Sequence, residues 1–282
     1  MDKIERFPIR IESMKYTGLL SLAAKNRKPR TVVHGYYEGA FKYTRPVKLD
    51  EQSISVYLIH VGGGYVDGDT YFTDIQVEEG AELVVTSQAS TKVYKTPIKP
   101  VEQYTMIRLA PGSVLEYCLD PLIMYDGARF IQETVVEMDE KSSLIFSEVI
   151  TPGWSKDGQD FRYDWLRNKL KVYQGGKLVL YDHLYLNPDE DLGGVLQMEG
   201  YTHIGSFVLF HPNVNREWID QMYGKIESEY SQIRFGISQI DGGGVVVRIL
   251  SDRTQTIEKM IHDIHSLVRE ELLGKKKILW RK

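Results

Sequence analysis

Between Thr73 and Asp182 the chain repeats one phrase four times. A strand-like run meets a short acidic or glycine-bearing turn. A small or polar residue follows, and then a leucine within a second strand-like run. Thr73–Val77 and Glu82–Ser87 flank Glu78-Glu79-Gly80, and Tyr104–Leu109 and Val114–Cys118 flank Ala110-Pro111-Gly112. Glu133–Met138 and Leu144–Val149 flank Asp139–Lys141, and Lys169–Tyr173 and Lys177–Asp182 flank Gln174-Gly175-Gly176. Aligned on Leu83, Leu115, Leu144 and Leu178, the phrases recur at intervals of 32, 29 and 34 residues. A period near 30 residues marks β units that cannot bury an apolar face alone and must stack on their neighbours. Each phrase reads locally as a hairpin. An ordinary sandwich or barrel also spaces its strands regularly. The recurrence favours a stacked, β-helix-like or solenoid body, with Ser53–His60 as an earlier strand. The expected fold class is therefore mainly β.

The last quarter has a different period. Tyr201–Phe210 is strand-like, and Pro212 with Asn213 to Asn215 offers a helix start. Trp218, Ile219, Met222 and Ile226 then recur on one helical face. Gln232–Ile240 and Val245–Leu250 are strands joined through Asp241-Gly242-Gly243-Gly244, a hairpin signal. Ser251 or Asp252 is placed to cap a second helix. Its stripe is Ile257, Met260, Ile261, Ile264, Leu267, Val268 and Leu272, and Gly274 is its stop. The C-terminal portion, residues 200–275, is thus β-α-β-β-α with two helices, packed on a β-rich body over residues 30–190. With no Ser/Gly-rich linker between them, residues 1–282 are expected to form a single continuous globule.

Composition narrows the function classes. The 282 residues are 42% hydrophobic and 26% charged, with net charge −4, so a broad electrostatic grip on nucleic acid is not expected. One cysteine, Cys118, excludes an intramolecular disulfide and a four-cysteine zinc site. No apolar run follows Lys3, Arg6 and Arg10, and none reaches membrane-span length, so a cytoplasmic protein without membrane contact is expected. Cys118 lies in a strand pattern and reads as a buried core thiol. His262 and His265 sit three apart on the last helix, a spacing that suits two metal ligands. They flank the apolar stripe and lack a third ligand, so they read as a surface pair. The basic tail Lys275–Lys282 reads as a solvated terminus.

Two stretches are less ordinary. Gly62-Gly63-Gly64-Tyr65-Val66-Asp67-Gly68-Asp69 lies between strands and carries two carboxylates, so it suits neither a phosphate loop nor an EF-hand. It reads either as a glycine-dependent crossover with Asp69 capping backbone N–H groups, or as an acidic loop for a hard or borderline cation, with Asp74 nearby. Thr86-Ser87-Gln88-Ala89-Ser90-Thr91-Lys92-Val93-Tyr94 reads either as hydroxyls satisfying a turn or as a recognition surface. No nucleophile elbow appears.

Taken together, these two stretches resemble the urease accessory protein UreD family, also called UreH. Gly63-Gly64-Tyr65-Val66-Asp67-Gly68-Asp69 is similar to the family's Gly-Gly-x-x-x-Gly-Asp element. Thr86, Ser87, Gln88, Thr91, Lys92 and Tyr94 follow its Thr-Thr-Gln-x-x-Thr-Lys-x-Tyr element, with Ser87 in place of the second Thr. Leu115-Glu116-Tyr117, Asp120-Pro121, Gln132, Glu148 and Gly153 continue the resemblance, which spans residues 30–190. It departs at Gly153-Trp154 and Gly158-Gln159, where the family pattern has Gly-Arg and Gly-Glu.

The resemblance implies a β-helix-like fold and a non-catalytic scaffold or chaperone in metallocentre assembly, with no resident cofactor. Such a protein binds apo-urease and UreF, and through UreF it meets UreG, the partner that binds GTP. Nickel is expected to pass transiently along a polar route lined by acidic residues, because carboxylates attract Ni²⁺ without trapping it as thiolates do. Asp67 and Asp69 are the first candidates, with Glu82, Glu116 and Glu148 behind them, and no tightly bound metal is expected. The alternative is a carbohydrate-active or carbohydrate-binding β-solenoid. It predicts paired carboxylates, Glu116 with Asp120 or Glu133 with Glu148, about 5 to 9.5 Å apart in an open groove.

Overall fold

A computed structural model describes residues 15–28, 30–190, 192–194 and 197–280. Lys3, Arg6 and Arg10, and the tail residues Arg281 and Lys282, lie outside the described residues. The strands are β1 (Gly18–Arg27), β2 (Arg30–Gly39), β3 (Phe41–Tyr43), β4 (Val47–Lys48), β5 (Ile54–His60) and β6 (Thr70–Val77). They continue as β7 (Glu82–Ser87), β8 (Thr91–Val93), β9 (Val101–Leu109), β10 (Val114–Cys118), β11 (Leu122–Met124) and β12 (Arg129–Met138). Next come β13 (Ser143–Ile150), β14 (Trp165–Gln174), β15 (Lys177–Leu186) and β16 (His203–Phe210). Helix α1 (Arg216–Tyr230), β17 (Arg234–Ile240), β18 (Gly244–Ser251) and α2 (Thr254–Glu271) complete the chain.

The body is mainly β and solenoid-like, as expected. Strands β6, β9, β12 and β14 pair in parallel in one sheet, and β5, β7, β10 and β13 pair in parallel in a second. Each coil therefore contributes one strand to each sheet. A short third side joins them: β8 pairs in parallel with β11, and Tyr65 bridges Val93 as Tyr125 bridges Trp154. A parallel pair needs a long crossover, and here one full coil is the crossover. Leu83, Leu115 and Leu144 are cross-strand partners, so the repeat read from their spacing is a physical stack.

Three of the four expected hairpins are corners instead. Ala81, Ser113 and Ser142 donate to the carbonyls of Glu78, Ala110 and Asp139, each closing a tight turn that bends the chain from one sheet into the other. These small residues are fully buried because the turns lie on one another, which is why the phrase places a small side chain there. Only the fourth phrase is a true hairpin: β15 runs back antiparallel to β14, and Leu178 is exposed rather than stacked.

The C-terminal portion continues the second sheet, which runs β17-β18-β16-β13-β10-β7-β5-β3. The hairpin expected at Asp241–Gly244 joins β17 to β18. The outer faces of β13, β16 and β18 carry Ile145, Val149, Phe207, Leu209, Val247 and Ile249, and the apolar stripes of α1 and α2 cover them. Asn215 caps α1 by accepting from the Trp218 N–H at 2.9 Å. The expected Ser251 or Asp252 cap of α2 is absent: Arg253 holds the cap position, with no side-chain bond.

Candidate functional site

The two unusual stretches are neighbours in space. The Tyr65 N–H donates to the Lys92 carbonyl at 2.8 Å, and the Tyr94 N–H donates to the Tyr65 carbonyl at 2.9 Å. The Tyr94 hydroxyl reaches the Gly63 carbonyl at 3.2 Å. Gly64 makes this approach possible. A Cβ there would lie 2.6 Å from the Tyr94 ring and 2.9 Å from the Lys92 carbonyl oxygen. Where the sheet alone would accept many residues, the junction between the segments accepts glycine.

Both carboxylates of the glycine loop work locally. Asp67 accepts from the backbone N–H groups of Ile98 and Lys99 at 2.8 and 3.0 Å. Asp69 is buried and accepts from the Val66 N–H, the Tyr71 hydroxyl and the Thr17 hydroxyl. The capping role read from the sequence is therefore present. The Ser87 hydroxyl accepts from the Asp120 N–H at 2.8 Å, and the Thr91 N–H donates to the Pro121 carbonyl. Thr86 faces the opposite side of its strand, fully buried, with its hydroxyl unpartnered.

A cavity of about 200 Å³ lies between the two stretches, lined by Gly63, Gly64, Gln88, Lys92 and residues of the interior. Those interior residues include three that sequence reading missed, His60, Thr73 and Gln103, and Tyr117, which belongs to the resemblance. Because the Tyr71 hydroxyl donates to Asp69 (2.7 Å), its oxygen accepts from His60 Nε2 (3.0 Å). His60 Nδ1 is then a lone-pair acceptor, and it has no hydrogen-bond partner. Burial holds this imidazole below its ordinary pKa against the opposing charge of Asp69, so its neutral form is favoured.

From this cavity a polar row runs along the solenoid axis. Tyr71, Gln103, Gln132 and Asn168 are register partners on successive coils, and Thr73, Thr105 and Thr134 form a second row beside them. Tyr65 donates to Gln103 Oε1 at 2.8 Å. At the far end Asn168 donates to Glu148 at 2.8 Å, and Gln132 donates to the other oxygen of the same carboxylate. Burial pushes the Glu148 carboxyl up to about 7, with Asp182 adding to the rise and Asn168, Arg248 and Gln132 opposing it. It therefore titrates near neutrality. A single-residue repeat could have revealed these rows, since inward positions recur at the same period as the leucines.

The five acidic residues singled out in the sequence separate into three places. Asp69 and Glu148 belong to the inner polar groups, and Asp67 braces a surface loop. Glu82 and Glu116 lie on the outer side of the second sheet, Glu116 beneath α2 and Glu82 beneath the segment that follows it. Glu82 pairs with Lys275 at 2.6 Å, and Lys275 also reaches Asp50 at 3.2 Å. Glu116 holds His265 and Arg269. These contacts correct two expectations. His265 is buried rather than one of a surface pair, while His262 is half-buried. The tail is docked at Lys275 and Ile278, although Lys276 and Lys277 are exposed. Cys118 is half-buried at the edge of the cluster under the helices. One member of each carboxylate pair expected for glycoside chemistry is closed off: Glu133 is buried and paired with Lys171 at 2.6 Å, and Glu116 is buried against His265 and Arg269. Among the described residues, no group of three or more His, Cys, Asp or Glu side chains is set to hold a metal ion. No described helix is long and apolar enough to cross a membrane.

Comparison with known proteins agrees with the motif resemblance and extends it into the C-terminal portion. The family model described as UreD urease accessory protein matches residues 16–281. A urease accessory protein UreD of Bacillus sp. (strain TB-90) is 54% identical over 270 residues, covering 95% of this chain and 100% of that protein. A UreD of Staphylococcus epidermidis is 37% identical over 266 residues, covering 92% and 95% respectively. One from Staphylococcus aureus is 38% identical over 278 residues, covering 96% and 100%. With both motifs joined at Gly64 and a match along nearly the whole chain, this protein belongs to the UreD urease accessory protein family.

Proposed function

We propose that this chain is a non-catalytic scaffold of urease maturation. It binds apo-urease and the accessory protein UreF, and through UreF it works with UreG, whose GTP hydrolysis accompanies nickel insertion. The chain keeps no cofactor of its own; nickel is its cargo. The observation that carries this reading is the convergence of both family motifs on a cavity at one end of an inner polar row.

The chemistry of that row suits a cation in transit. Amide oxygens of Gln103, Gln132 and Asn168 and hydroxyls of Thr73, Thr105 and Thr134 are weak neutral ligands, which ease desolvation without holding the ion. His60 Nδ1 offers a stronger nitrogen ligand at the cavity end of the row. Glu148 can lose its proton when a cation arrives, because its pKa lies near neutrality. In this reading the route uses Asp69 and Glu148, whereas Asp67, Glu82 and Glu116 hold the structure together.

The test is co-expression of apo-urease with the other accessory proteins, with and without this chain, followed by measurement of urease nickel content and activity. The expected result is nickel-poor, weakly active urease when the chain is omitted. Equal activation without it would reject the scaffold reading.

A further inference from the structure

The third side of the solenoid carries an aromatic row. Tyr94, Tyr125 and Trp154 come from successive coils, with ring centroids 4.7 Å and 4.9 Å apart. Trp154 is 53% exposed, and Ile98 nearby in the chain is 77% exposed. Asp67 ties the Ile98 backbone to the glycine loop, whose Val66 is also exposed. Solvated apolar groups of this size gathered at one face point to a covered surface in the working assembly.

The rim of this face is cationic. Lys92, Lys95 and Lys99 lie along it, and the Lys95 stem runs over Gly127, within 3.1–3.4 Å of where a Cβ would stand. Among the described residues none of these three lysines has an ion pair within the chain. On a chain of net charge −4 these are three cations that no described carboxylate of the chain pairs, although Asp67 holds the backbone at Ile98 and Lys99. They complement carboxylates. The rings are tilted against one another, at 62° and 38°, so they form a stepped rather than a flat surface. The face is also continuous with the cavity, because Gly63 and Lys92 belong to both.

We propose that the Tyr94–Tyr125–Trp154 row and its lysine rim dock apo-urease, through an apolar segment flanked by carboxylates. This deepens the function proposed above and rests on it. Urease is the occupant because the relatives' names give it as the protein served, and because a protein seated here covers the cavity mouth. Its carboxylates would neutralise lysines that otherwise repel a divalent cation leaving the cavity.

The test is binding of the full-length chain to immobilised apo-urease, at low and high salt. Three forms are compared: wild type, Trp154→Ala, and Lys95→Glu with Lys99→Glu. The expected result is a loss of roughly tenfold or more in affinity for each variant, with salt-sensitive binding of the wild type. Tyr181→Ala, on the exposed face of β15, is expected to bind like wild type. The lysine changes are at the surface, so they remain informative if Trp154→Ala fails to fold. Unchanged affinity of the lysine variant would overturn the proposal. So would loss of binding to UreF with urease binding retained, or loss of saccharide binding alone on a glycan array. Wild type that neither binds urease nor supports its activation would instead reject the scaffold function itself.

Discussion

His265 Nε2 lies 2.6 Å from Glu116 Oε2 across 149 residues of sequence, with both side chains only 2% exposed. Arg269, one turn further along α2, donates to the other oxygen of the same carboxylate. One carboxylate on β10 thus fastens the last helix to the solenoid wall. Burial alone would raise the Glu116 pKa, but the hydrogen bond from His265 and the positive charges of His265 and Arg269 outweigh it and hold it below the usual range. Glu116→Ala leaves a buried guanidinium without its anion, and a loss of about 3–5 kcal/mol is expected in urea unfolding. The pH dependence follows from the depressed folded value. The contribution is complete above the unfolded glutamate pKa and is lost as pH falls through the folded one. The gap between wild type and variant should therefore close in acid.

Gly64→Ala tests the junction between the motifs. The new methyl would meet the Lys92 carbonyl oxygen at 2.9 Å, and a backbone atom paired in a strand cannot step aside cheaply. The backbone at Gly64 also has φ of +155°. A loss of about 1–3 kcal/mol is expected. Gly63→Ala has open space around its Cβ and carries only the conformational penalty of its φ of +80°. Thermal unfolding of the two variants should rank Gly64→Ala as the more damaging.

The legible part of this molecule was its axial repeat. Leu83, Leu115 and Leu144 could be aligned because inward positions of stacked coils face the same neighbours and so require the same residue type. The direction of each second strand was not legible. A tight turn such as Ala110–Ser113 has the same local chemistry whether the chain folds back beside its partner or bends into another sheet. Stacking of one coil on the next decides it. For the site, Gly64, Asp69 and Tyr94 stood out through motif resemblance. His60, Thr73 and Gln103 did not, since a polar residue in a strand reads as outward-facing until the second sheet is known. His265 was misplaced for a related reason: at the edge of the apolar stripe, only the unseen Glu116 could draw it inward.

Glu148 should make stability depend on pH in the opposite sense to Glu116. Its folded pKa is raised to about 7, so the unfolded chain ionises first as pH rises. The native state loses stability from the ordinary glutamate pKa up to about 7, and the penalty is complete above that. The distance between the two values is worth roughly 3 kcal/mol. Glu148→Gln keeps the shape and one acceptor for Asn168 while removing the charge. It should be more stable than wild type at alkaline pH, and this gain should vanish as pH falls below the ordinary glutamate pKa. A constant difference across that range would mean that Glu148 is not the titrating group.

His60 separates transport from architecture. Asp69→Ala is ambiguous, because it removes the acceptor for the Val66 N–H and the Tyr71 hydroxyl along with the charge. His60 gives a single hydrogen bond, to the Tyr71 oxygen, and its Nδ1 has no partner to lose. His60→Phe keeps the ring, and with it the edge contacts to Phe41 and Tyr65. If the cavity passes nickel, this variant should assemble with UreF and urease as wild type does, yet leave urease with several-fold less nickel. Measuring metal content and complex formation on the same purified sample distinguishes the outcomes. Full nickel loading would remove His60 from the route, and failure to assemble would make it a structural residue of the motif junction. Asp69→Asn, which keeps an oxygen acceptor for Val66 and Tyr71, should follow His60→Phe in the same assay if the two residues line one route.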